Sequence, residues 1–228
     1  MSLSKTEYRN ETGPLHHNED LFLHCRVIGK LINHDSGVGY GLFAEENIPK
    51  GTPILSFCGE LLSREQATPV ALLVGFTKDG EEIFLESVEE DGRERSIDNI
   101  INHHCHANAK VVIPNEITET GGRSKPYQVY MEAIEDIPAG TEITIFYPAT
   151  EYEMKGEEII EKCRDCGGKI TGYTGLSEKE KWEHRDEFVP HIRKILEKEL
   201  WFIEKMKKIE GEEMPELFLN MPQLFAEE

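Results

Sequence analysis

Two turn signals, NIPKG (Asn47 to Gly51) and DIPAG (Asp136 to Gly140), constrain the fold of this chain more than any other feature. A proline followed closely by glycine fixes one φ, removes a donor and frees the next backbone angle, so neither segment can lie inside a regular element. Between and around them stand short apolar segments. Leu21 to Ile32 comes close to alternation and reads as one or two strands, and Thr52 to Leu62 reads as another. HDSGVGYG, His34 to Gly41, reads as a turn or loop from which a strand starts at Leu42. Ser63 to Gln66 has the form of a capping box opening a short helix, which Pro69 ends. Ala71 to Phe76 and Ile83 to Val88 read as a hairpin around KDGEE. Val111 to Pro114, Tyr127 to Ile134 and the alternating Thr141 to Phe146 supply further strands. Strands recurring every roughly 8–12 residues between Pro/Gly turns predict a mostly β domain over residues 21–150.

The last third has a different period. Ser177 with Glu180 forms a capping box, and Trp182, Phe188, Val189, Ile192, Ile195, Leu196, Ile203, Met206 and Ile209 recur at helical spacing. Pro190 ends one helix and opens the next. Residues 176–228 are therefore a helical region whose apolar face packs on the β domain. A protein partner bound through these helices is the alternative, and LFLNMPQLF (Leu217 to Phe225) either docks back or meets another chain. Residues 1–20 are polar and read as a flexible N-terminal segment. Residues 151–175 lie between the β domain and the helices.

Charge narrows the function. Of 228 residues, 44 are acidic and 25 basic, a net charge of −19. Phosphate-backbone binding depends on Lys and Arg, so no direct nucleic acid binding is expected. A basic, lysine-containing protein or peptide suits the field better. No run of about 18 apolar residues is present, so no membrane association is expected. The polar N-terminus has no signal-peptide pattern. An odd count of five cysteines outside a small secreted scaffold implies reduced thiols and an intracellular protein.

Four short motifs carry chemistry. Gly37, Gly39 and Gly41 alternate within GVGYGLFA, a pattern that suits close backbone approach to a ligand as well as an ordinary turn. A dinucleotide fold would need a helix next; LFAEENIPKG is strand and turn, so that fold is excluded. FCGE (Phe57 to Glu60) ends a strand. NHHCHAN (Asn102 to Asn108) packs three histidines and Cys105 together, which by itself fits a metal site or a surface loop. EITIFY ends on Tyr147.

In this order and spacing, the four motifs resemble the SET domain of protein lysine methyltransferases, from Leu21 to Pro148. That family shows GxG, YxGE, NHSCxPN and a strand ending in tyrosine. Phe57, His104 and Ala107 depart from its pattern, as does Asn99, which stands where arginine is frequent. The resemblance implies a SET-type fold of short sheets with a C-terminal pseudoknot, and S-adenosylmethionine-dependent methylation of a lysine, first of all in a histone tail, with a non-histone protein as the alternative substrate. It implies that Gly39, Tyr40, Gly41, Ile100, Asn102 and His103 bind the cofactor and that Tyr147 is catalytic. Val111 and Ile145 stand where the family tunes the number of methyls. Neither has a hydroxyl to tether a water, which points to di- or trimethylation. The compartment is nuclear if the substrate is a histone.

Cys163-Arg-Asp-Cys166 resembles half of the zinc-binding post-SET segment, for which residues 151–175 are the counterpart. With Cys105 as third ligand, and His104, His106 or His184 as fourth, zinc is possible, and Tyr173 would then stack near the cofactor; two thiols without metal are the alternative. Two other readings stand beside catalysis. One is a degenerate SET domain acting as a protein-interaction scaffold. The other is a metal-binding protein, which explains neither the glycines nor Tyr147.

Overall fold

The computed structural model describes residues 22–34, 37–57, 59–68, 71–86, 100–114, 128–153 and 170–210. The N-terminal segment, the loop after Pro114, Asn99 and the apolar tail lie outside them. Among the described residues, eleven short strands form three small sheets. The first holds β1 (Phe22–Leu23), β4 (Pro53–Ser56), β10 (Tyr130–Ala133) and β9 (Ala109–Val112), in that order. In the second, β2 (Val27–His34), β3 (Gly37–Ala44), β11 (Glu142–Ile145) and β8 (Asn102–His103) lie side by side. The third is β5 (Glu60–Leu62), β7 (Glu82–Glu86) and β6 (Leu72–Phe76), with β6 and β7 forming the expected hairpin.

The two Pro/Gly turns face each other. Ile48 and Ile137 exchange both backbone hydrogen bonds at 2.8 Å. Asp136 accepts from the Lys50 N–H and Asn47 from the Ala139 N–H. Gly51 and Gly140 both take positive φ, 80° and 84°, which the turn geometry requires. This brace fixes where β4 begins and where β11 leaves for the site. Beneath it, Leu42, Ile54, Leu55, Met131 and Ile143 are fully buried, one or two from each inner strand.

Three local expectations change. GVGYG is strand, not loop: β3 pairs with β2 from Val27 opposite Ala44 to His34 opposite Gly37. Gly41 marks a close approach within that strand, not a bend. Thr52 to Leu62 is two strands in two sheets, because Gly59 at φ 136° turns the chain between them. Ser63 to Gln66 makes one turn only. The Ser63 N–H donates to Gln66 Oε1, but its hydroxyl donates to Glu65 and leaves the other half of the box unmade.

The C-terminal region follows its pattern closely. Ser177 and Glu180 form the full capping box of α1 (Glu178–Glu183), and Pro190 opens α2 (Pro190–Glu210). Phe188, Val189, Ile192, Leu196 and Leu200 enter the same hydrophobic core as the sheets. Further along α2, Trp201 and Phe202 are exposed. Tyr173 is fully buried, edge-on to Phe188, with its hydroxyl donating to Glu199, so its ring is inside the C-terminal packing and not on a ligand-facing surface.

His191 docks α2 against the β6–β7 hairpin, edge-on to Phe76 at 5.9 Å. Burial lowers its pKa to about 4. Its folded pKa lies below the unfolded value of about 6.5, so the unfolded chain binds the extra proton and stability is lost as pH falls through that window. His191→Phe keeps the ring edge and removes the titration. The expected result is a variant whose unfolding midpoint falls less steeply than wild type from pH 6.5 to 4, a difference of about 2 kcal/mol across the window. Parallel slopes in denaturant titrations at several pH values would count against it.

Candidate active site

β11 lies between β3 and β8 and is the strand around which the site is built. It runs parallel to β8, with Thr144 opposite Asn102 and Ile145 opposite His103, and the His104 N–H donates to Ile145 O at 3.1 Å. The same segment returns to β11 through Asn108, whose Oδ1 accepts the Thr144 N–H at 2.9 Å while its Nδ2 donates to Glu142 O at 2.8 Å. NHHCHAN is therefore a seam along the last strand, joining residues 102–108 to residues 142–147.

Asn102 points toward β3. Its Nδ2 donates to Tyr40 O at 2.9 Å and to Glu142 Oε1 at 2.7 Å. Both partners are acceptors, which fixes the amide orientation and turns Oδ1 away as the remaining acceptor. Gly41 makes room for this arrangement. A Cβ there would overlap Ile32, come within 2.6 Å of Glu142 Oε1 and lie 3.1 Å from Asn102 Nδ2. Its glycine is needed for space and not for φ, which is not positive.

His103 is buried, with its ring tilted on Phe146 at 5.7 Å and set edge-on to Tyr147 at 5.3 Å. Its Nδ1 accepts the Tyr147 backbone N–H at 3.2 Å, so the proton of the neutral ring sits on Nε2, 3.6 Å from Cys105 Sγ. Burial, and then the neighbouring His104 and His184, lower its pKa to about 4, so the ring is neutral at physiological pH. The Tyr147 hydroxyl donates to Ile101 O at 2.8 Å. The ring is thus held at both ends by the segment that carries Asn102 and His103.

The structure brings together Tyr40, Gly41, Asn102, His103 and Tyr147, and Gly39 lies next to them on β3, paired with Ile32. Ile100 is buried in the core. Cys105 touches His103 at the rim; Cys163 and Cys166 lie outside the described residues. Among the described residues, no group of three or more His, Cys, Asp or Glu side chains could hold a metal ion. Two participants are not singled out as site residues by the sequence. Asn108 stands in the motif without a role, and Glu142 reaches the site only through contacts far along the chain, which no local pattern signals. His184, a candidate fourth zinc ligand from the sequence, instead stacks on Phe146.

The SET domain family model matches residues 39–148. This segment is a SET domain. A histone-lysine N-methyltransferase of Caenorhabditis elegans, mes-4, is 27% identical over 139 residues, which is 58% of this chain and 15% of that protein. The chain thus matches only a small part of that relative's length. Among solved structures, KRYPTONITE in complex with mCHH DNA, an H3(1–15) peptide and SAH aligns over 60% of this chain and 26% of that one, at 16% identity and a TM-score of 0.40. A humanized mutant of the Chaetomium thermophilum Polycomb Repressive Complex 2, bound to the inhibitor GSK126, aligns over 54% of this chain and 15% of that one, at 24% identity and a TM-score of 0.38. Among the described residues, no helix of this chain is long and apolar enough to cross a membrane.

Proposed function

We propose that this SET protein is an S-adenosylmethionine-dependent protein lysine N-methyltransferase acting on a basic peptide, a histone tail first of all, and that it works in the nucleus. The observation that carries the reading is the convergence of the Tyr147 hydroxyl, the Asn102 amide and the glycine edge of β3 on one strand. The cofactor's amino-acid end fits that edge: with Nδ2 held by Tyr40 O and Glu142, Asn102 Oδ1 is an acceptor suited to an ammonium. Bound there, S-adenosylmethionine supplies an electrophilic methyl group.

The residues of the chain then have two tasks. The first is alignment, since holding an amine in line with the methyl can supply several kcal/mol of the barrier, roughly 7–11 in the best cases. Tyr147, anchored through its N–H on His103 and its O–H on Ile101 O, presents a fixed oxygen to the amine. The second is deprotonation. A lysine amine with a solution pKa of about 10.4 reacts only when neutral, and the apolar side chains of Phe146, Ile145 and Val111 disfavour the ammonium form. Neither Ile145 nor Val111 provides a hydroxyl, which supports addition of two or three methyls; a time course by mass spectrometry that stopped at one methyl would refute that. The acidic surface, at a net charge of −19, suits a lysine-rich substrate.

The test is titration calorimetry with S-adenosylmethionine, then mass spectrometry of a histone tail peptide. Wild type is expected to bind the cofactor, and Asn102→Ala to weaken it by about 10-fold or more, the effect of losing a charge-assisted hydrogen bond. Well-folded protein without measurable binding would leave the interaction-scaffold reading in its place.

A further inference from the structure

We propose that His184, which lies outside the SET domain match, is a positioning residue for Tyr147, acting through a ladder of stacked rings; the inference rests on the methyltransferase reading above. The His184 ring lies flat on Phe146, with centroids 3.8 Å apart and planes within 18°. Phe146 tilts on His103, and His103 stands edge-on to Tyr147 while accepting its backbone N–H. Four rings thus run without a gap from the C-terminal segment to the hydroxyl-bearing side chain.

His184 is itself held. Its backbone N–H donates to Glu180 O at the end of α1, and its Nδ1 pairs with Glu187 Oε1 at 2.7 Å. Both side chains are mostly buried, at 16% and 15% exposure. The other Glu187 oxygen, Oε2, is buried with no hydrogen-bond partner among the described residues. Placing a carboxylate there is unfavourable, and an apolar side chain would fill the same volume without that penalty. What the pair adds is a fixed plane for the imidazole, since a single strong hydrogen bond to Nδ1 sets the ring's rotation. The backbone ties this segment to the end of the site as well: Val189 N–H donates to Ala149 O at 3.0 Å and Tyr173 N–H to Glu151 O at 2.8 Å, both just beyond Tyr147.

A packing role and a positioning role give different results with two substitutions. Both His184→Leu and His184→Phe fill the site and lose the bond to Glu187; only His184→Phe keeps a flat face, so the two differ in the ring alone. The first readout needs no substrate: ring 15N resonances of His103, with Trp201→Ala on the exposed part of α2 as the control. They are expected to move in His184→Leu, to stay near wild type in His184→Phe, and not to move in the control. The second is steady-state kinetics on a lysine peptide. The expected result for His184→Leu is a kcat lower by about tenfold, with KM and cofactor affinity changed by less than about twofold, and most of kcat recovered in His184→Phe. His103 resonances that ignore His184→Leu, or a leucine variant as active as the phenylalanine variant, would overturn the proposal. If wild type methylates no lysine, the methyltransferase reading falls on its own, and the His103 resonances still decide whether His184 sets the ring ladder.

Discussion

Tyr147→Phe is expected to lower kcat on a lysine peptide by about 100-fold or more while cofactor affinity stays within about twofold. The asymmetry follows from how the side chain is held. The ring is fixed by its edge contact with His103 and by its backbone N–H on His103 Nδ1, and neither contact involves the hydroxyl. Phenylalanine therefore keeps the ring in place. What is lost is one hydrogen bond, from the hydroxyl to Ile101 O, which is about 1 kcal/mol of stability and about 2–4 °C in Tm for a domain of this size. The same oxygen is the polar group offered to the amine, so the loss falls on the aligned complex, not on the fold or on the glycine and Asn102 edge. Tyr147→Ala makes a useful contrast. It removes the ring from the ladder and should also disturb His103, lowering Tm further than phenylalanine does. Kinetics, calorimetry and thermal melts on the same preparations separate these effects. A phenylalanine variant retaining a third of wild-type kcat, by about the measure of a single lost neutral contact, would remove Tyr147 from the chemistry.

What could be read in advance was what the chain encodes locally. The Pro/Gly turns work through two adjacent residues each, and Gly51 and Gly140 take the positive φ that such turns demand. The capping box of Ser177 and Glu180 spans four positions and formed in full. NHHCHAN and Tyr147 stood out because the resemblance rests on short motifs in order, and parallel pairing of β8 with β11 brings those two motifs together. The misreadings share one cause, contacts set by distant residues. GVGYG reads as a loop because alternating glycines suggest free backbone angles, whereas Gly41 is needed because Asn102 and Glu142 cross its face. Thr52 to Leu62 reads as one strand although FCGE carries a turn glycine, and it is the φ of 136° at Gly59 that sends β5 to a different sheet from β4. His184 reads from the sequence as a possible fourth zinc ligand, and only the folded chain sets its ring on Phe146.

Asn108→Leu is expected to destabilise the protein by about 2–4 kcal/mol, about 5–15 °C in Tm. Asn108 is buried, and its amide accepts from Thr144 N–H and donates to Glu142 O, so one side chain serves both a donor and an acceptor of β11. Leucine has the same branching in a somewhat larger volume and offers neither group. Thr144 is itself buried, so its N–H is left without water to replace the lost partner, and an unsatisfied buried donor costs more than the bond it made. The damage should not stay local. Glu142 also receives the Asn102 amide, and the strand it starts ends two residues before Tyr147, so a shift in β11 moves both halves of the site. Cofactor affinity is therefore expected to fall together with stability, unlike in Tyr147→Phe. Asn47→Ala is the matched control. Its Oδ1 also accepts one backbone N–H, that of Ala139, but in an exposed turn where water can substitute, so a loss below about 1 kcal/mol is expected. Equal midpoints for the two variants in thermal or urea unfolding would mean that the seam between residues 102–108 and β11 is held by backbone pairing alone, and that Asn108 is a bystander in it.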